Sequence, residues 1–148
     1  MFTRQSVHVS FTIAMLSTGI LLGCGPGTLE PPDTVPVSGF VMLKGKPAAG
    51  CLVQFHPAFD IGEIKFIPHA ETGADGKFTL STGVTGNGAP PGDYVVTIER
   101  MRVVSDRKNS GIEIEVDDFQ GRYSDPTKST WSITITEDEN VLEPFELN

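Results

Sequence analysis

The chain has 148 residues, 39% hydrophobic and 20% charged, with 16 glycines and 11 prolines. That length suits one compact domain and leaves no room for two, and the composition is that of a folded chain rather than a disordered one. Nineteen acids against eleven lysines and arginines give a net charge of −8, a surface that repels phosphate backbones and lacks the cationic footprint of nucleic-acid binding.

Residues 1–24 read MFTRQSVHVSFTIAMLSTGILLGC. Arg4 gives a positive start, and Val9 to Leu22 is a mostly apolar run of about 14 residues, short of the roughly 20 that a bilayer span needs. No second apolar stretch follows, so the segment reads as an export signal rather than a transmembrane anchor. Its last residues, Leu21-Leu22-Gly23-Cys24, resemble the lipobox of bacterial lipoproteins. The resemblance implies a signal peptide over 1–23, a diacylglycerol on the Cys24 thiol, cleavage before Cys24 and acylation of the new amine. It also implies a membrane-anchored protein of the bacterial envelope, its domain facing the periplasm or the exterior. Each buried methylene contributes about 0.8 kcal/mol, so two or three acyl chains hold far more firmly than one. Without Arg4 the mature chain keeps ten cations against nineteen acids, a net charge of −9.

Residues 24–36 follow the signal as the acylated cysteine and GPGTLEPPDTVP. Its four prolines favour an extended path near 3.1 Å per residue, so the tether spaces the domain about 30–35 Å from the bilayer. Cys24 and Cys51 are the two cysteines of the chain, and acylation of the first leaves no partner for a disulfide. Cys51 shares a strand face with Val53 and Phe55 and reads as a buried, inert thiol.

From residue 37 to 148 the chain alternates at period two between turn signals, with no convincing amphipathic helix. Val37–Leu43 is the first strand, turned by Lys44-Gly45-Lys46-Pro47, and Cys51–His56 is the second. Residues 65–72 form a weaker third. Asp75-Gly76 predicts a tight primed turn with both central residues at positive φ, feeding Lys77–Ser81 with Phe78 and Leu80 inward. Pro91-Gly92 suits a type II turn before Asp93–Ile98, where Tyr94, Val96 and Ile98 share a face. Ile112–Val116 alternates, as does Trp131–Thr136 with Trp131, Ile133 and Ile135 inward. Val141–Leu147 closes the chain, Phe145 and Leu147 facing in. Seven to eight short strands, apolar on one face, predict an all-β fold of two packed antiparallel sheets; a barrel is the alternative.

Four strings carry a further resemblance. VSGFVMLKGKPAAGCLVQFHP, TGADGKFTLST and GAPPGDYVVTI resemble, in this order and spacing, the hallmarks of a carboxypeptidase regulatory-like, transthyretin-like domain. GRYSDPTKSTWSITITEDEN, residues 121–140, is similar to the tail of short bacterial lipoproteins carrying one such domain. The resemblance implies a Greek-key β-sandwich (transthyretin-like or Ig-like), a lipid anchor and usually no known activity. The family is named for an accessory module of carboxypeptidases, so peptidase chemistry does not come with it.

The residues offer little chemistry of their own. His56 and His69 are the histidines of the mature chain, where zinc catalysis needs three ligands and an open position; both read as structural or solvated. Intradiol dioxygenases hold iron through tyrosines followed by nearly adjacent histidines, whereas here both histidines precede Tyr94 and Tyr123. No serine elbow and no phosphate-binding glycine pattern occurs. Asp75, Asp117, Asp118 and Asp125 are loop oxygen donors without the spacing of a calcium loop, so no metal or cofactor is expected. Glu113, Glu115 and Asp117 share a face that keeps an edge strand from pairing with other chains. Residues 57–68 expose Phe59, Ile61, Ile64 and Phe66, either to cover the sandwich end or as a contact patch for protein or glycan. The expected function is a non-catalytic envelope lipoprotein presenting the sandwich for structural or binding roles. The alternative is a carbohydrate- or peptide-binding accessory module, which needs a solvent-accessible Trp131 or Tyr94. Membrane and a protein or glycan ligand are the expected partners, and nucleic acid is not.

Overall fold

The computed structural model describes residues 33–61, 66–83, 86–106 and 111–148. The signal segment, the lipobox Leu21, Leu22, Gly23 and Cys24, the tether up to residue 32, and Ile64 lie outside the described residues. The chain is all-β, with strand segments β1 (Val37–Leu43), β2 (Lys46–Pro47), β3 (Leu52–Pro57), β4 (His69–Glu71), β5 (Lys77–Thr79), β6 (Gly92–Glu99), β7 (Met101–Asp106), β8 (Ile112–Asp117), β9 (Ser132–Ile135), β10 (Asn140–Val141) and β11 (Phe145–Leu147). Among the described residues there is no helix.

Two sheets form a sandwich. In the first, β1 is central, with β2 and β5 antiparallel along one edge and β10 and β11 along the other. In the second, β4-β3-β6-β9 is antiparallel throughout. The expectation of purely antiparallel sheets therefore needs correction: β10 and β11 run parallel to β1, pairing Val37 with Asn140 and Val41 with Phe145. That pairing joins the two ends of the domain, and a partner so remote in sequence leaves no local turn to betray it. The eleven segments exceed the seven or eight expected because the closing strand is interrupted between Val141 and Phe145, where Pro144 offers no N–H for a ladder, and because the two-residue β2 and the six-residue β7 were not among those expected.

Alternation fills the space between the sheets. Val37, Val41, Phe78, Phe145 and Leu147 from the first layer meet Val53, Phe55, Tyr94, Val96, Ile98 and Ile135 from the second, all buried. The Phe55 ring reaches across, with centroids 6.4 Å from both Phe78 and Phe145 and 5.9 Å from Tyr94. Gly39 faces Phe78 in register, and a Cβ there would fall 2.4 Å from the ring; its missing side chain is the space the phenyl group occupies. Trp131 and Ile133 are half-buried at the core margin, not enclosed as expected, while Ile135 is buried.

The Asp75-Gly76 turn also differs from the primed form. Only Gly76 has positive φ, +78°, and its N–H donates to the Gly73 carbonyl at 2.9 Å. The Asp75 carboxylate accepts the Lys77 N–H at 3.2 Å, a local bond that stabilises the turn without a left-handed residue at Asp75. The strand that follows, β5, pairs with β1 in the first sheet, whereas β4 before the turn belongs to the second.

The fold begins slightly before the expected boundary. Val35 exchanges backbone bonds of 3.0 and 3.1 Å with Ala89, and the Pro36 carbonyl accepts the Asn140 N–H. Gly88, at φ +86°, lies so close that a Cβ would meet the Val35 carbonyl oxygen at 1.8 Å. At the other end, β7 and β8 form a ribbon that, among the described residues, pairs only with itself.

Candidate functional site

β1 runs from Val37, beside the Val35–Ala89 bridge, to Leu43, and β6 runs from Gly92, near the same bridge, to Glu99. At about 3.3 Å per residue, each strand carries the chain roughly 20 Å or more along the domain. Both arrive at one cleft of about 280 Å³, lined by Leu43, Lys44, Arg100, Asp118, Phe119, Gln120, Arg122, Tyr123 and Asn148. The cleft thus opens at the end of the sandwich opposite Val35, at the foot of the β7–β8 ribbon.

Its walls are built from turns. After Leu43 the chain reverses through Lys44 and Gly45, both at positive φ (+51° and +72°), the backbone of a type I′ hairpin turn. The Lys44 N–H donates to the Leu147 carbonyl at 2.9 Å, closing the parallel strand pair. After β8 the Asp117 carboxylate organises the opposite wall. It accepts the backbone N–H of Arg100 at 3.0 Å, of Phe119 at 3.1 Å and of Gly121 at 2.7 Å. Those bonds fold residues 117–121 into a tight turn with Gln120 and Gly121 at φ +57° and +74°.

Asp118 receives the guanidinium of Arg100 at 2.8 Å and that of Arg102. The Arg102 hydrogen bond, followed by the Arg100 pairing, holds its carboxyl below the usual carboxylate range. Arg100 lies over the Phe119 ring, 5.1 Å from its centroid, and Arg122 over Tyr123 at 5.9 Å. Phe119, Tyr123, Trp131 and Phe145 continue as a chain of rings into the core, with successive centroids 5.6, 5.6 and 5.5 Å apart. Arg122 and the Tyr123 hydroxyl both donate to the Asn148 carbonyl, at 2.7 and 3.1 Å. The cleft therefore has a rigid aromatic floor and a rim of three cations, Lys44, Arg100 and Arg122, with one acid already engaged.

The residues singled out in the sequence do not converge on this cleft, Asp118 and Tyr123 apart. His56 bonds the Thr97 hydroxyl at 2.8 Å, and burial lowers its basicity. His69 bonds the Ile67 carbonyl at 3.1 Å. Asp125 accepts from the Thr127 hydroxyl, above all, and from Lys128, and is drawn down to about 2; Asp75 pairs with Lys77 at 3.4 Å. Among the described residues no group of three or more His, Cys, Asp or Glu side chains could hold a metal. Cys51 is free and buried, and burial pushes its thiol up. Tyr94 is buried, and Trp131 is half-buried. In the 57–68 loop, Phe59 packs edge-on against Tyr94 at 5.4 Å. On the ribbon, Glu113 and Glu115 are exposed as expected, but Asp117 turns back to cap the cleft wall. The sequence marks Lys44-Gly45 as part of the turn after β1; the polar-Gly pair it leaves unmarked is Gln120-Gly121, which also places two successive residues at positive φ.

No family model and no curated protein matches the chain. Among solved structures it is similar to a 9R-lipoxygenase from Cyanothece PCC8801, with 12% identity and a TM-score of 0.40, covering 78% of this chain and 16% of that one. It is also similar to the dioxygenase domain of a dioxygenase carbohydrate-binding protein fusion from Streptomyces sp. SirexAA-E, with 20% identity and a TM-score of 0.35, covering 82% and 85% of the two chains. At these scores neither likeness carries an argument about activity.

Proposed function

We propose that this protein is a non-catalytic lipoprotein of the bacterial envelope that holds a β-sandwich away from the membrane and offers its far end for binding. The observation that carries the reading is the polarity of the domain. The chain enters at Val35, beside Ala89, and the aromatic and cationic cleft lies where β1 and β6 end. An acylated Cys24 followed by a proline-rich spacer turns the cleft away from the bilayer, where a soluble or wall-bound ligand reaches it. A non-catalytic role fits the occupation of the titratable groups: His56, Asp75, Asp117, Asp118 and Asp125 each hold a turn or a neighbouring strand in place.

Fractionation tests the anchor. Full-length protein should sediment with membranes and enter detergent, and Cys24→Ser should appear in the soluble fraction. A Cys24→Ser protein that stays in the membrane pellet refutes the lipid tether.

A further inference from the structure

Cations are scarce in this chain, eleven against nineteen acids, yet the cleft gathers Lys44, Arg100 and Arg122 against one acidic side chain, Asp118, and the main-chain oxygen of Asn148. A concave site of one sign in a protein of the other focuses potential on an incoming anion. Arg100 is held by Asp118 and Phe119, which fixes it as part of the wall. Lys44 has no ion-pair partner among the described residues, and Arg122, an exposed residue, uses Nη1 on the Asn148 main-chain oxygen.

A second observation concerns the backbone. Among the described residues, Lys44 and Gln120 are the two non-glycine residues at positive φ, and both line this cleft. Glycine adopts that conformation freely and asparagine more readily than either. A long side chain kept at an unfavourable φ, twice, on opposite walls of one cleft, points to a role for the side chains themselves.

We propose that the cleft binds a carboxylate-bearing saccharide, with Lys44 and Arg122 donating to the carboxylate and the Gln120 amide pairing with neighbouring hydroxyls. The inference rests on reading the cleft as a binding site and names the class of ligand. Guanidinium and ammonium donors make charge-assisted bonds to a carboxylate, and a primary amide both donates and accepts, as a hydroxyl does. Strand addition, one mode of peptide recognition, needs a free strand edge. The cleft offers turns instead, and the end of β1 is already bonded to Leu147 on one side and to β2 on the other.

The test is calorimetric titration of full-length protein in detergent with four probes: trigalacturonate, neutral maltotriose, a triglutamate peptide and inorganic phosphate. Trigalacturonate should bind saturably and more weakly as salt rises, with maltotriose, triglutamate and phosphate at least about tenfold weaker. Lys44→Gly should lower trigalacturonate affinity about tenfold while raising the melting temperature by about 2–4 °C as the positive φ is relieved. Gln120→Gly should shift both quantities in the same directions. Absence of trigalacturonate binding, triglutamate or phosphate binding as tightly, equal binding of maltotriose, or unchanged affinity in Lys44→Gly overturns the proposal. Fractionation of Cys24→Ser reads the anchor separately, so failure of the tether and failure of the saccharide site are distinguishable.

Discussion

The Tyr94 hydroxyl donates a 2.8 Å hydrogen bond to the Pro90 carbonyl, four residues upstream, from inside the solvent-excluded core. The arrangement is similar to the tyrosine corner of Greek-key sandwiches, in which a buried phenol ties a strand to the connection before it. Here it locks the entry of β6, the strand that leads to the cleft. Burial pushes the Tyr94 phenol up to about 12.

Alkaline stability follows from that shift. An unfolded tyrosine ionises near pH 10, so below pH 10 both states keep the proton and the contribution of Tyr94 is fully present. Between about pH 10 and 12 the unfolded chain releases its proton while the folded one retains it. Stability should fall there by about 2–3 kcal/mol. Tyr94→Phe should lack this component and, at neutral pH, cost about 1–2 kcal/mol for an unpartnered Pro90 carbonyl. Denaturant titrations at pH 8 and pH 11 measure both, and an identical pH dependence in the two proteins would contradict the assignment.

Phe78 and Gly39 form one packing unit. Phe78→Ala should cost about 3–5 kcal/mol as a core truncation. Gly39→Ala should destabilise by about 1–3 kcal/mol because its methyl invades the ring's volume, and far less in the Phe78→Ala background. Thermal melts of the four proteins give the coupling; additive losses would mean the two sites do not share space.

The wall of the cleft depends on Asp117. Asp117→Ala should leave three backbone N–H groups without their acceptor and destabilise by about 1–3 kcal/mol, whereas Asp117→Asn, keeping one carbonyl oxygen, should lose less. Hydrogen exchange at Phe119 and Gly121 should quicken in the alanine variant. Unchanged exchange there would mean the carboxylate does not hold the turn.

How much was legible in the sequence follows burial and chain distance. Period-two alternation located β1, β3, β6 and β9 because each buries one face, and it named Phe78, Leu80, Tyr94, Val96, Ile98, Phe145 and Leu147 as inward residues, all of which are buried. It passed over β7, whose run Met-Arg-Val-Val-Ser-Asp does not alternate, yet located its partner β8, whose Ile112 and Ile114 are as exposed as Met101 and Val103. It gave no sign that β10 and β11 close on β1 in parallel, since that contact spans the domain. The cleft was invisible for the same reason. Its lining comes from residues 43–44, 100, 118–123 and 148, four stretches that only the folded chain brings together, and the local clue was the pair of polar-Gly turns.

The account rests on a covalent lipid at Cys24, and metabolic labelling with radioactive palmitate tests it most directly. Label should be incorporated into the full-length chain, withstand denaturing electrophoresis and vanish in Cys24→Ser. A mature protein that carries no label, or that keeps it after Cys24 is replaced, would contradict the lipoprotein reading.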